Sequence, residues 1–212
     1  MSPEKTDSDS IGPQRTLSKV PFPPALGEQF RQLYGTDTQP SDGAEWVAQM
    51  RETTTSARGR TPTVEDLCTV ADGDHAFVGE TGTQKYICVL DPLAYPFLTG
   101  ETGTVQSTTP VRGETVEFTV ERDGVTVSHD EAVVSLGVSD HLDAVDVESA
   151  PVETVYRQVC GYIQTFVDRA EYETWVSEAD AETIALSAPD GVAVARELAD
   201  TLFAGSDGRE KS

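Results

Sequence analysis

Apolar and polar positions change their rhythm along this chain. From Ala25 to Tyr34, apolar residues fall at Leu26, Phe30, Leu33 and Tyr34, a helical spacing. Gly43 to Arg51 repeats it with Trp46, Val47 and Met50 on one face. Thr53 to Pro62 is polar and reads as a loop. Thr63 reads as the cap of a short helical turn from Val64 to Val70. The period then shortens. His75–Glu80 and Lys85–Leu90 flank Thr81-Gly82-Thr83, and Val116–Val120 and Gly124–Ser128 flank Glu121-Arg122-Asp123, which predicts two hairpins.

Leu93 to Leu98 reads as a tight turn or short helix after a strand, and Gly100 to Gly103 as a turn. Ala132–Val138 and Thr183–Ser187 read as strands. Val152 to Phe166 is apolar enough for a strand or a buried helix. Glu171–Glu178 and Gly191–Phe203 read as helices, and Asp140–Ser149 as an acidic loop. Hairpins followed by helices predict an α+β fold of antiparallel sheets with flanking helices. The expected division is a disordered arm over 1–24, a small helical region over 25–63, an α+β catalytic domain over 64–204 and a polar tail over 205–212.

Charge narrows the setting. The 212 residues carry 37 acids against 15 Lys and Arg, a formal charge of -22, with the acids scattered along the chain. Such a surface repels phosphates and anionic lipids, so nucleic acid and membrane are not expected partners. Scattered acid with few lysines fits adaptation to high salt, where screening weakens self-repulsion. The polar N-terminus lacks an apolar signal core, and no apolar run is long enough to span a bilayer, so a cytoplasmic location is expected. The only cysteines are Cys68, Cys88 and Cys160, too few and too irregular for a disulfide framework.

The candidate chemistry lies with these thiols. Cys88 and Asp91 stand three apart in Tyr86-Ile87-Cys88-Val89-Leu90-Asp91-Pro92-Leu93. A carboxylate beside a thiol can take its proton or deliver one to a leaving group. Cys160 lies in Val159-Cys160-Gly161-Tyr162-Ile163, where Gly161 leaves room for a close approach. Taken singly, each of the three is more often structural than reactive. His75, His129 and His141 have no ligand-like spacing, and phosphate-loop, dinucleotide and serine-hydrolase motifs are absent. Trp46 and Trp175 read as packing residues.

Together these segments resemble the organomercurial lyases (alkylmercury lyases). The run Tyr86-Ile87-Cys88-Val89-Leu90-Asp91-Pro92-Leu93-Ala94-Tyr95-Pro96-Phe97-Leu98-Thr99-Gly100 is similar to the family signature, and the segment around Cys160 resembles the one carrying the second catalytic cysteine. The likeness spans about Phe77 to Phe203. A further cysteine of well-known members corresponds to Thr109, and no winged-helix-like N-terminal unit is evident. Cys68 has no counterpart and reads as structural.

The resemblance implies protonolysis of a carbon–mercury bond, with Cys88 and Cys160 as thiolates on a soft metal and Asp91 as the proton carrier. The product Hg(II) stays on Cys88 and Cys160, with Asp91 near, until cellular thiols or a mercuric reductase accept it. No organic cofactor is implied. Leu93, Tyr95, Phe97 and Ile163 are expected to line a pocket for the organic group. The alternative is a non-catalytic protein of the same fold that binds or senses mercury or copper.

Overall fold

The computed structural model describes residues 20–121, 124–142 and 157–203. The expected disordered arm (1–19), the acidic loop from 143 onward and the polar tail lie outside them. Residues 20–24, assigned to the arm from sequence, instead anchor the chain to the fold through two side chains and the first residue of a helix. Val20 and Phe22 are buried, and Phe22 N–H donates to the Ser41 carbonyl at 2.9 Å.

Two helices open the described chain. α1, Pro24–Tyr34, starts with proline in its first turn, where no backbone donor is needed, and ends at Gly35 with φ 65°. α2, Gly43–Arg58, is capped by Asp42, whose carboxylate accepts from Ala44 and Glu45 N–H. It runs through Thr53–Arg58, which sequence polarity assigns to a loop. Thr54 explains the difference. It is buried, and its hydroxyl returns to the Met50 carbonyl at 2.7 Å, so a polar residue sits inside the helix without an orphaned group.

A 3-10 turn, Val64–Asp66, leads into a two-residue strand, β1, Thr69–Val70. The first expected hairpin is β2, His75–Gly79, with β3, Gly82–Tyr86, closed by a shorter turn because Gly79 pairs with Gly82. The strand predicted through Leu90 ends at Tyr86. The chain then bends and enters α3, Leu90–Thr99, where Pro92 falls in the first turn and is tolerated. Its C-terminus is Gly100, at φ 75°.

β4, Gly103–Thr108, was not legible as a strand, since most of its residues are small and polar. It pairs with β2 and with β5, Thr115–Glu121, which hairpins to β6, Gly124–Val127. The six-stranded antiparallel sheet has the order β1-β3-β2-β4-β5-β6.

The second sheet has the order β8-β7-β9, with β7 at Val133–Ser139, β8 at Thr165–Phe166 and β9 at Ala181–Ser187. β7 is buried at every position, so it shows no alternation. The apolar stretch before β8 is neither one strand nor one helix: residues 157–160 are helical, a turn follows, and β8 is only two residues long. α4, Arg169–Val176, is capped by Asp168, and α5, Ala188–Thr201, by Ser187. The fold is α+β, as the hairpin-then-helix order predicts. One apolar cluster runs from Leu26 and Trp46 through Leu93 and Val134 to Leu198.

Candidate functional site: a buried cluster of three thiols and a carboxylate

Each member of the cluster sits where an element begins or ends. Cys88 lies in the bend between β3 and α3 and is 2 % exposed. Asp91 lies one residue inside α3, near its free N–H groups. Cys160 ends the helical residues 157–160 and is 7 % exposed. The backbone ties these segments together: Ile163 N–H donates to the Cys160 carbonyl, and Val89 N–H to that of Ile163, both at 3.3 Å.

Cys68, read as structural from sequence, belongs to the same cluster. Its Sγ lies 3.9 Å from that of Cys160, and its backbone N–H donates to Asp91 Oδ2 at 2.7 Å. The cause is register. β1 pairs with β3 so that Thr69 faces Tyr86, and one step further Ile87 N–H donates to the Cys68 carbonyl at 3.1 Å. Residues 20 positions apart in sequence therefore leave the sheet edge side by side. The one sequence signal nearby is the Thr63 and Asp66 pair. It forms a capping box that fixes the turn ahead of Cys68.

The thiols and the carboxylate are neighbours in one buried cluster. Cys160 Sγ donates to Cys68 Sγ at 3.9 Å, the Cys68 N–H donates to Asp91, and Cys88 lines the same cavity as all three. Burial pushes Asp91 up to about 6, against the backbone and thiol donors that hold it down. The neighbouring Cys68 thiol, then Cys88, then burial push the Cys160 thiol well above the ordinary range. The bond Cys88 receives from Cys160 holds Cys88 down. Burial and the charges of Asp91 and Cys68 outweigh it, so Cys88 is raised too. A carboxyl group near 6 exchanges protons at neutral pH in both directions.

A cavity of about 50 Å³ opens on the cluster. Tyr34, Trp46 and Met50 from α1 and α2 form one wall, and Leu198, Leu202 and Phe203 another. Trp46 is held by its indole N–H donating to the Tyr34 hydroxyl at 3.2 Å and by Phe30 at 5.4 Å between ring centroids. Of the four residues expected to line a pocket, only Ile163 does so. Leu93 is in the core, Tyr95 packs on Phe77, and Phe97 lies under the Arg196 guanidinium. α3 turns that face away from the thiols. Thr109 closes the β4–β5 turn, with its hydroxyl accepting from Glu114 N–H. Among the described residues no group of three or more His, Cys, Asp or Glu side chains has the spacing of a preformed metal site.

The family model for the alkylmercury lyases matches residues 69–200. The chain belongs to the alkylmercury lyase family. It is therefore an alkylmercury lyase in class, and the resemblance around Cys88, Asp91 and Cys160 is part of a match covering more than half of the chain. Among solved structures, this family member is similar to one described as the mercury-bound form of MerB2. That likeness has 14 % identity and a TM-score of 0.46, over 84 % of this chain and 98 % of the other. No curated protein matches. Among the described residues of this lyase, no helix is long and apolar enough to cross a membrane.

Proposed function

We propose that this alkylmercury lyase cleaves carbon–mercury bonds by protonolysis, with Cys88 and Cys160 holding the metal and Asp91 carrying the proton. The observation that carries the reading is the convergence of Cys88, Cys160 and Asp91 on one apolar-lined cavity. Mercury is soft and takes thiolate ligands. The Cys88 thiol gives its proton to Asp91, and its sulfur bonds to mercury as the thiolate that carried the substrate departs.

The departing thiolate takes the Cys160 proton, and the Cys160 sulfur then adds to mercury. Two thiolate donors raise electron density on the bound carbon. Asp91, now a carboxylic acid, protonates that carbon. The C–H bond forms as the Hg–C bond breaks, the hydrocarbon leaves, and Hg(II) stays on two sulfurs. Asp91 is left as the carboxylate that began the cycle. No oxidation state changes and no organic cofactor takes part. Cellular thiols or a mercuric reductase accept the Hg(II), and the setting is a salty cytoplasm, to which the acidic surface is suited.

The test is direct. The reduced protein is incubated with phenylmercury and excess thiol, and benzene is measured. Cys88→Ser, Cys160→Ser and Asp91→Ala are each expected to lose at least about a hundredfold in rate, the scale of a lost proton-transfer group. Tight Hg(II) binding without benzene overturns the reading in favour of a mercury or copper sequestering or sensing protein.

A further inference from the structure

We propose that Cys68 is a third mercury-handling thiol, which shares the product Hg(II) with Cys88 and Cys160 and passes it to an acceptor thiol outside. The proposal rests on Cys88 and Cys160 as the holding pair. Three observations carry it. The Cys68 sulfur is 3.9 Å from that of Cys160 and lines the same cavity. Cys68 is part-exposed, whereas Cys88 and Cys160 are buried. Its position is fixed by its bonds to the Asp91 carboxylate and to Ile87 N–H, on the segment that bears Cys88.

Access supplies the physical argument. Hg(II) between two buried sulfurs is out of reach of a tripeptide thiol, because a cavity of about 50 Å³ does not admit one. A thiol at the edge of that cavity can meet the metal on one side and solvent on the other. The exchange balances. The Cys68 sulfur bonds to Hg(II), the Hg–S bond to Cys160 breaks, and the Cys68 proton moves to the Cys160 sulfur across their contact. Two external thiols then bond to the metal in turn from the Cys68 side, each giving its proton to the protein thiolate it displaces, first Cys88 and then Cys68, and Hg(II) leaves on the two external sulfurs. Nothing is oxidised or reduced. The three thiols are thereby returned to their protonated form for the next substrate.

The experiment uses the full chain, reduced, with and without one equivalent of HgCl2, and follows iodoacetamide labelling of each cysteine by peptide mass spectrometry. Without mercury, Cys68 is expected to label first. With mercury, all three are expected to be protected, Cys68 by about tenfold, since exchange and alkylation follow thiol access. Protection of Cys88 and Cys160 with Cys68 labelled at its mercury-free rate overturns the proposal and leaves the holding pair standing. Loss of protection at Cys88 and Cys160 overturns both.

A second arm follows capture of the bound Hg(II) by glutathione. Cys68→Ser is expected to slow it about tenfold, because exchange depends on access of the attacking thiol. Capture at the wild-type rate overturns the exit role.

Discussion

At the scale of single residues, Asp91 carries the conflict between stability and chemistry. Burial raises it to about 6, so its ionised form is disfavoured in the folded protein relative to the unfolded chain. The sign follows from proton linkage. For an acid whose folded value is raised, the stability it contributes is full below about 4 and is lost as pH rises through about 6. Asp91→Asn removes the charge and keeps an oxygen to accept from Cys68 N–H. It is expected to be more stable than the wild type by roughly 1–3 kcal/mol at pH 8, and no more stable below pH 4, since each shifted pKa step is about 1.4 kcal/mol. Urea unfolding at the two pH values checks this. The same variant is expected to lose benzene release, the usual trade between a strained site and a stable one.

At the scale of elements, the turn before β1 sets where Cys68 stands. Asp66 holds it. Its carboxylate accepts from Thr63 N–H at 2.7 Å and from Arg60 at 2.6 and 2.8 Å, and it pairs with Arg58. Hydrogen bonding by Arg60, more than any other cause, holds Asp66 down at about 2. Its contribution is therefore present above about 4 and falls away as pH drops towards 2. The Arg60 guanidinium is half-exposed, so solvent screening discounts that contribution.

Asp66→Ala is expected to cost about 1–2 kcal/mol at pH 7, the scale of a lost helix cap, measured by thermal unfolding. It is also expected to blunt the mercury protection of Cys68 while leaving that of Cys88 and Cys160. The reason is that Cys88 and Asp91 are placed by β3 and α3, whereas Cys68 depends on the turn.

At the scale of the whole molecule, His75 joins the two sheets. It sits on β2 beside Ser107 of β4, whose hydroxyl is 2.7 Å from Nδ1, and its Nε2 lies 3.1 Å from Gln164 Oε1. Gln164 donates its amide N–H to the Gly161 carbonyl, so its oxygen faces the ring. His75 therefore carries its proton on Nε2 and accepts from Ser107. Gln164 N–H in turn donates to the Ser135 hydroxyl, and Ser135 N–H on β7 donates to the Gln164 carbonyl, just past the turn that holds Cys160.

Burial, more than anything else, lowers His75 to about 4. The stability of its neutral form is present above about 6.5 and lost as pH falls through about 4. Asp91 works the other way over nearly the same range, so the two offset each other in the wild type. His75→Gln is expected to gain roughly 2–3 kcal/mol relative to the wild type between pH 6.5 and 4, at about 1.4 kcal/mol per pKa step. Urea titrations across that range check it.

Sequence alone determined much of this protein, and the physical reason is locality. Helical spacing at Leu26, Phe30 and Leu33 marks α1, and alternation in Thr115–Glu121 marks β5, because each records which face is buried. Cys88 and Asp91 were legible because both lie at one strand-to-helix junction. Cys160 was legible only through likeness to a family. Tertiary structure decided the rest. Thr54 in α2 and the small polar residues of β4 are held by partners that no local pattern announces. Cys68 joined the cluster through the register of a two-residue strand, a fact set by pairing across the sheet and not by any residue beside it.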